Sequence, residues 1–97
     1  MRMLLKAQME TRKANQANQD GTLPQAIQRA MSELQPEAAY FYPENGQRTA
    51  LFVFDMEDPS QIPPTLEPFF QATEARVTLT PVMTGEDLQK GRERAHG

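Results

Sequence analysis

The chain has 97 residues, a mass of 11.0 kDa and a formal net charge of −3, with 38% hydrophobic and 24% charged residues. It contains no cysteine, which excludes a disulfide framework, a thiolate metal site and a cysteine nucleophile. Its apolar runs are far shorter than the ~20 residues of a membrane-spanning helix, and its acidic balance disfavours nucleic acid and anionic membrane surfaces as partners. We therefore expect one cytoplasmic domain over residues 1–97, with neither a nucleic-acid nor a membrane partner.

Residues 1–10 predict the first strand. Met3, Leu5, Ala7 and Met9 alternate with mostly polar residues. An apolar residue at every second position is typical of a strand that packs one face on a hydrophobic core. If the odd-numbered side chains face the helices of the domain, the even-numbered side chains face the other way.

The clearest helix signal lies over residues 22–35. Apolar residues recur at helical spacing between Leu23 and Leu34, Thr22 is a candidate N-cap, and the pattern stops before a proline. The polar segment before it, residues 11–21, carries only two small apolar side chains. We expect that segment to form a loop or a weak, mostly exposed helical turn.

Residues 37–42 and 48–57 predict two aromatic-rich strands of a hairpin. Asn45-Gly46 between them is typical of a tight turn, because glycine tolerates a positive φ. The second strand contains five consecutive apolar residues at 50–54. Since a strand with one solvated face should alternate, this pattern predicts that both faces of the second strand are covered.

The segment after this hairpin predicts a helical region that prolines interrupt. Asp58 is a candidate N-cap, and we expect a short turn over residues 59–62 followed by a helical segment over residues 64–74. Pro68 lies deep enough in that segment to kink it, because proline cannot donate the backbone hydrogen bond of a helix interior.

Residues 76–83 predict the fourth strand, in which apolar residues alternate with threonines. Pro81 lacks a backbone donor, which places this strand at a sheet edge or near its own end. The Thr-Gly-Glu-Asp sequence at 84–87 then predicts the cap of a short terminal helix over residues 86–94. Leu88 is the only large apolar residue of that helix, so we expect the helix to pack weakly.

The order of these elements is strand, helix, strand, strand, helix, strand and a terminal helix. It predicts a ferredoxin-like α+β fold (βαββαβ), with a four-stranded antiparallel sheet, both long helices on one face and a short C-terminal helix. No helix is left to cover the other face, yet the strand at 48–57 is apolar on both sides. Because a lone domain would expose that apolar patch, we expect a homodimer packed through the open sheet face.

Three segments carry a resemblance to a known family: Pro-Glu-Ala-Ala-Tyr-Phe at 36–41, Glu-Pro-Phe-Phe at 67–70 and Pro-Val-Met-Thr-Gly-Glu-Asp-Leu at 81–88. With the order of elements, they resemble a family of small uncharacterised bacterial proteins over nearly the whole chain. Those proteins look like members of the dimeric α/β-barrel superfamily, which includes muconolactone isomerase and small cofactor-free monooxygenases. The resemblance implies this fold and a dimer more strongly than it implies a reaction, because members of one fold do unrelated things.

Strand alternation also suggests which side chains line a site. If the odd-numbered residues of the first strand face the helices, then Lys6 and Gln8 face the open side. The candidate pocket residues are Lys6, Gln8, Tyr40, Tyr42, Asp55, Thr78 and Thr80. The alternative is a dimer interface with buried hydroxyls. Asp55 is either a solvated strand-end carboxylate or, with a raised pKa in a pocket mouth, a general base.

These features leave three functional hypotheses open. The first is a homodimer that binds a small apolar or aromatic molecule between the sheet and the helices. The second is a cofactor-independent isomerase, cyclase or monooxygenase, in which Lys6, Tyr40, Tyr42 or Asp55 supplies proton transfer or orientation. The third is a structural subunit of a larger assembly. The only histidine, His96, lies in the tail, so we expect no metal site and no cofactor.

Overall fold

The computed structural model describes all 97 residues. The strands are β1 (Arg2–Gln8), β2 (Ala38–Glu44), β3 (Gln47–Asp55) and β4 (Arg76–Pro81). The helices are α1 (Thr11–Asp20), α2 (Thr22–Leu34), α3 (Ile62–Thr73) and α4 (Gly85–His96), with a 3₁₀ turn over Pro59–Gln61. The strands form one antiparallel sheet in the order β2-β3-β1-β4. This is the expected ferredoxin-like α+β fold.

The hydrophobic core lies between the sheet and the helices α1, α2 and α3. Leu5 of β1 and Phe52 of β3 lie opposite each other in the sheet and are buried. Phe69 of α3 packs on Phe52 with ring centroids 6.3 Å apart. Met3 and Ala7 are buried beside them, so β1 presents its odd-numbered residues to the core as the alternation predicts.

Helix α1 differs from the sequence-based expectation. The sequence predicts a loop or a weak, mostly exposed helical turn over residues 11–21. That prediction is wrong in extent, because Thr11–Asp20 forms a ten-residue helix. The Glu10 carboxylate caps it by accepting hydrogen bonds from the next amides, and Ala14 and Ala17 are its buried residues. Two alanines are enough because small side chains let a polar helix lie close to its neighbours.

The junction of α1 and α2 corrects a second expectation. Thr22 is the first residue of α2 and not its N-cap, since Gly21 occupies that position with φ +88°. The backbone N–H and the hydroxyl of Thr22 both donate to the Asp20 carboxylate, at 2.9 and 2.7 Å. Only glycine adopts this φ cheaply, so Gly21 divides what would otherwise be one longer helix.

The remaining turns follow the sequence signals. Asn45 and Gly46 have φ of +53° and +76°, which is the geometry expected of a two-residue hairpin turn. Asp58 caps the 3₁₀ turn by accepting from the Ser60 amide at 2.8 Å. Helix α3 then runs over Ile62–Thr73 with Pro68 inside it. Helix α3 packs beside α2 on the same face of the sheet.

Helix α4 forms as predicted but is longer, covering Gly85–His96. The Thr84 hydroxyl accepts from the Asp87 amide at 3.1 Å, and the Asp87 carboxylate accepts from the Thr84 amide at 3.0 Å. Every residue of α4 is exposed, and none of the other elements packs along it. The helix therefore stands apart from the body formed by residues 1–83.

Candidate functional site on the open sheet face

The candidate site is the sheet face that carries no helix, which we call the open face. Strand register decides its membership, because residues opposite each other on neighbouring strands share a face. Lys6 lies opposite Leu51 on β3 and Thr78 on β4, and Leu51 lies opposite Tyr40 on β2. The neighbouring rows place further residues on this face: Leu4, Gln8, Ala38, Tyr42, Thr49, Val53, Arg76 and Thr80. The register thus puts Lys6, Gln8, both tyrosines and both threonines together, as the alternation predicts.

The middle of the open face is apolar. Leu4, Leu51 and Val53 lie on the two central strands and are each only partly exposed. Tyr40 lies outside them on the β2 edge and is 60% exposed. Side chains of this kind on a face without a covering layer leave apolar area in contact with water, which disfavours the isolated protomer.

A polar cluster lies beside this apolar centre. The Lys6 ammonium pairs with the Glu44 carboxylate at 2.7 Å, and both side chains are about 30% exposed. The Tyr42 hydroxyl donates to the same carboxylate at 3.5 Å, and the Gln8 amide donates to the Glu44 backbone carbonyl at 3.2 Å. Glu44 therefore connects three of the sequence-predicted candidates into one group.

The charge state of Lys6 is fixed by this pairing. The hydrogen bond to Glu44 raises the pKa of the Lys6 ammonium above its ordinary value of 10.5, and the coulombic attraction of Glu44 acts in the same direction. Lys6 is consequently a cation throughout the neutral range and cannot act there as a base. A lysine ammonium has three N–H donors, so donors remain for an oxygen acceptor on a ligand.

Asp55 is at the margin of the open face, not in its centre. It ends β3 opposite Arg2, its side chain is 78% exposed, and its carboxylate accepts from the Met1 ammonium at 2.6 Å. This hydrogen bond lowers the pKa of Asp55 below its ordinary value of 3.8. The hypothesis of a general base with a raised pKa is therefore corrected: Asp55 is a solvated, ionised strand end.

The two threonines lie at the opposite edge of the open face. Thr78 and Thr80 belong to β4, which is an edge strand, and both are exposed. The Thr80 hydroxyl makes only a long contact with the Pro81 carbonyl, at 3.4 Å. Both hydroxyls can therefore bond to a covering molecule, but neither belongs to the Lys6 cluster.

The sequence did not single out Glu44. It follows Pro43 at the end of β2, where the turn signal dominates the pattern. Its role depends on the diagonal reach of the Lys6 side chain across β3, which no local pattern encodes. The available signal was the even-numbered position of Glu44, which shares the face of Tyr40 and Tyr42 by the period of two.

The interior leaves no comparable space for a ligand. The cavity between the sheet and α3, lined among others by Leu5, Phe54 and Thr65, has a volume of about 10 Å³. That is about the space of one water. The Thr65 hydroxyl, buried there without a hydrogen-bond partner, suits such a water. That cavity therefore holds nothing larger than water. A groove of about 400 Å³ opens between the hairpin and α2, with Leu23, Ile27 and Tyr42 in its lining, but of the predicted site residues it includes only Tyr42. The open face is where most of the candidate side chains meet.

A larger cleft lies on the far side of the molecule. It has a volume of about 590 Å³ between α1, α2 and α3, and its lining includes Lys13, Asp20 and Arg29. None of the predicted site residues contributes to it. Its polar, solvated walls lack the apolar surface that usually dominates a small-molecule site.

Comparisons with family models, with curated proteins and with solved structures found no match to this chain. None of its helices is both long enough and apolar enough to cross a membrane. No group of three or more histidine or carboxylate side chains is placed to hold a metal ion.

Proposed function

We propose that this chain forms a homodimer through the open face and binds a small apolar or aromatic molecule between the two faces. The observation that carries the proposal is the apolar centre of the open face, with Leu4, Leu51 and Val53 left without a covering layer. A second copy presents the same surface, so an isologous contact covers both copies at once.

The polar cluster supports the ligand part of the proposal. Small-molecule sites combine apolar walls with a few fixed polar groups that orient the ligand. Lys6 supplies a cation and Tyr42 a hydroxyl beside the aliphatic centre, and Glu44 holds both in place. The matching ligand has an apolar or aromatic body and one oxygen acceptor, such as a carboxylate or a carbonyl.

The dimer is tested by sedimentation equilibrium of the full chain and of two charge-adding variants. Val53→Arg places a cation in the middle of the open face, whereas Ser32→Arg places it on the exposed outer surface of α2. We expect a dimer for the wild type and for Ser32→Arg. The dissociation constant of Val53→Arg should rise on the order of 100-fold, because an unpaired charge would be buried at the contact. A wild type that sediments as a monomer at micromolar concentration would overturn the proposal.

Ligand binding is tested with 1-anilinonaphthalene-8-sulfonate, an aromatic probe whose sulfonate supplies oxygen acceptors. We expect saturable fluorescence enhancement in the wild type. Lys6→Met, which removes the ammonium but keeps the chain length, should weaken binding roughly 10-fold, the size of one charge-assisted hydrogen bond. Lys13→Met on α1 should leave it unchanged. Equal effects of the two variants would place the probe elsewhere.

A cofactor-independent isomerase, cyclase or monooxygenase is the second candidate. It is favoured by one observation, the fixed Lys6 cation beside the Tyr42 hydroxyl. A preorganised cation stabilises an enolate-like anion as it forms, and the Tyr42 hydroxyl adds a hydrogen bond to that anion when its single O–H turns away from Glu44. The two candidates differ in what happens to a bound aromatic molecule: an enzyme converts it to a product, whereas a binding protein releases it unchanged.

A further inference from the structure

Helix α4 is a folded segment without a packing surface. All of its residues are exposed, Leu88 among them at 48%, and Met83 just before it is 69% exposed. The radius of gyration of the chain is 15.3 Å, compared with about 12.5 Å for a compact domain of this length. The longest dimension of the molecule is 54 Å against a thickness of 17 Å. The excess length is that of a helix projecting from the body.

The sequence nevertheless specifies α4 as a helix. Its N-terminus carries the capping box of Thr84 and Asp87, its first turn is acidic and its last turn contains Arg94 and His96. A helix of this length is marginal in water by itself, and Gly91 inside it costs about 1 kcal/mol relative to alanine. A helix with such signals at both ends and so little stability of its own is expected to pack on something.

The area of the open face points to the same conclusion. Four strands of this length cover about 440 Å² in projection, roughly half of the ~800 Å² that each partner buries in a stable complex. Helix α4 is about 18 Å long and 10 Å wide, so it covers about 180 Å² on another surface. In a symmetric dimer each copy gives one such helix and receives one, which adds about 360 Å² of projected area per partner and nearly doubles the contact.

The charge of α4 suits an acidic receiving surface, which the body of a second copy provides. The helix contains three acidic and three basic residues, so the net charge of −3 belongs entirely to the body. Lys90 pairs with Glu86 within the helix, but Arg92 and Arg94 form no ion pair. Their cations lie at the distal end of α4, where an acidic body of another copy would attract them.

We propose that α4 is an exchanged arm, which packs on the second copy beside the contact between the two open faces. Leu88 and Ala95, seven residues apart on one side of the helix, form its contact surface, and Arg92 and Arg94 neutralise carboxylates of the body that receives it. The proposal rests on the homodimer proposed above and adds the element that completes its interface.

The test compares two full-length variants by sedimentation equilibrium. Leu88→Glu adds a carboxylate on the contact side, and Gln89→Glu adds the same charge about 100° away around the helix. We expect Leu88→Glu to raise the dimer dissociation constant 10- to 100-fold, as for the loss of one buried leucine. Gln89→Glu should change it less than about threefold. At a protein concentration low enough to keep the chain monomeric, far-UV circular dichroism and urea midpoints should stay unchanged in both, because Leu88 is half exposed and lies outside the hydrophobic core of its own chain.

The other outcomes are distinct. If both variants dimerise like the wild type, the arm is overturned and the homodimer stands. If the wild type itself is a monomer, the homodimer fails and the arm fails with it. If Leu88→Glu self-associates more strongly than the wild type, α4 covers the open face of its own chain, which also overturns the exchange.

Discussion

The two faces of the sheet are built from the same strands but differ in solvent exposure. On the covered face, Leu5 and Phe52 are 1% and 0% exposed. On the open face, their chain neighbours Leu4, Leu51 and Val53 remain partly exposed. Because backbone and strand position are shared, the difference between these central residues arises from the helix layer. The comparison shows that one protomer covers only one face of a strand that is apolar on both faces; the second covering layer is the homodimer proposed above.

The largest expected difference between the two faces is in the free energy of unfolding of alanine variants of two adjacent leucines. Leu5→Ala removes a buried side chain from the core and should lower the free energy of unfolding by about 2–5 kcal/mol. Leu4→Ala removes the same atoms from the open face and should cost less than about 1 kcal/mol in the monomer, since its side chain is already partly hydrated. Urea unfolding at a protein concentration low enough to keep the chain monomeric measures both.

Protein concentration separates the proposed interface from the core. The cost of Leu4→Ala should grow as the concentration rises into the dimer range, because association contributes to apparent stability by mass action. The cost of Leu5→Ala should not depend on concentration. Equal costs for both leucines in the monomer would break the distinction between the faces.

A smaller effect separates the body from the α4 arm, through two glycines. Gly46 lies in the hairpin turn with φ +76°, so Gly46→Ala should destabilise the body by about 1–2 kcal/mol, the cost of a left-handed alanine. Gly91 lies in α4 with open space around it. Gly91→Ala should therefore stabilise the helical state of α4 by up to about 1 kcal/mol and increase its helix content. Urea midpoints and far-UV circular dichroism measure the two.

The body should respond only to the first glycine. Since every residue of α4 is exposed and none belongs to the core, Gly91→Ala should leave the urea midpoint of the monomer unchanged. A rise in that midpoint would mean that α4 contributes to the stability of the protomer core after all, because alanine stabilises the helix.

The fold was largely predictable because local signals and topology agree. Alternation in β1, the Asn45-Gly46 turn and the Asp58 cap each act within a few residues, and the right-handed crossover rule then leaves one sheet order. Helix α1 was missed because Ala14 and Ala17 are its only apolar residues, so no apolar stripe marks it. Its burial depends on the layer that it joins, not on its own pattern.

The site was predictable in part, because local strand alternation assigns side chains to a face. A period of two assigns Lys6, Tyr40 and Tyr42 to one face once the core side of a strand is known. It does not say which side chains touch. The Lys6–Glu44 pair spans three strands and 38 positions of chain, and the environment of Asp55 depends on its contact with Met1. Both are products of tertiary structure.

The smallest effect concerns the polar centre of the open face, and pH measures it. The raised pKa of Lys6 means that its ammonium stabilises the folded state fully below pH 10.5, and that this contribution is lost as the pH rises through the higher folded value. Glu44→Gln should return the pKa of Lys6 towards 10.5, as followed by NMR of the lysine side chains. Glu86→Gln, which removes the partner of Lys90 on α4, is the matched control and should not affect Lys6.

The outcome decides what kind of centre the open face has. If Glu44→Gln leaves the pKa of Lys6 where it was, the pair at 2.7 Å is not what holds the ammonium, and the polar cluster is a set of independent solvated groups. If the pKa falls in Glu44→Gln alone, Lys6 is a fixed cation in a surface that is otherwise apolar. The uncovered aliphatic side chains are the part of this surface that water disfavours, and a fixed cation beside them would orient the acceptor oxygen of the proposed ligand.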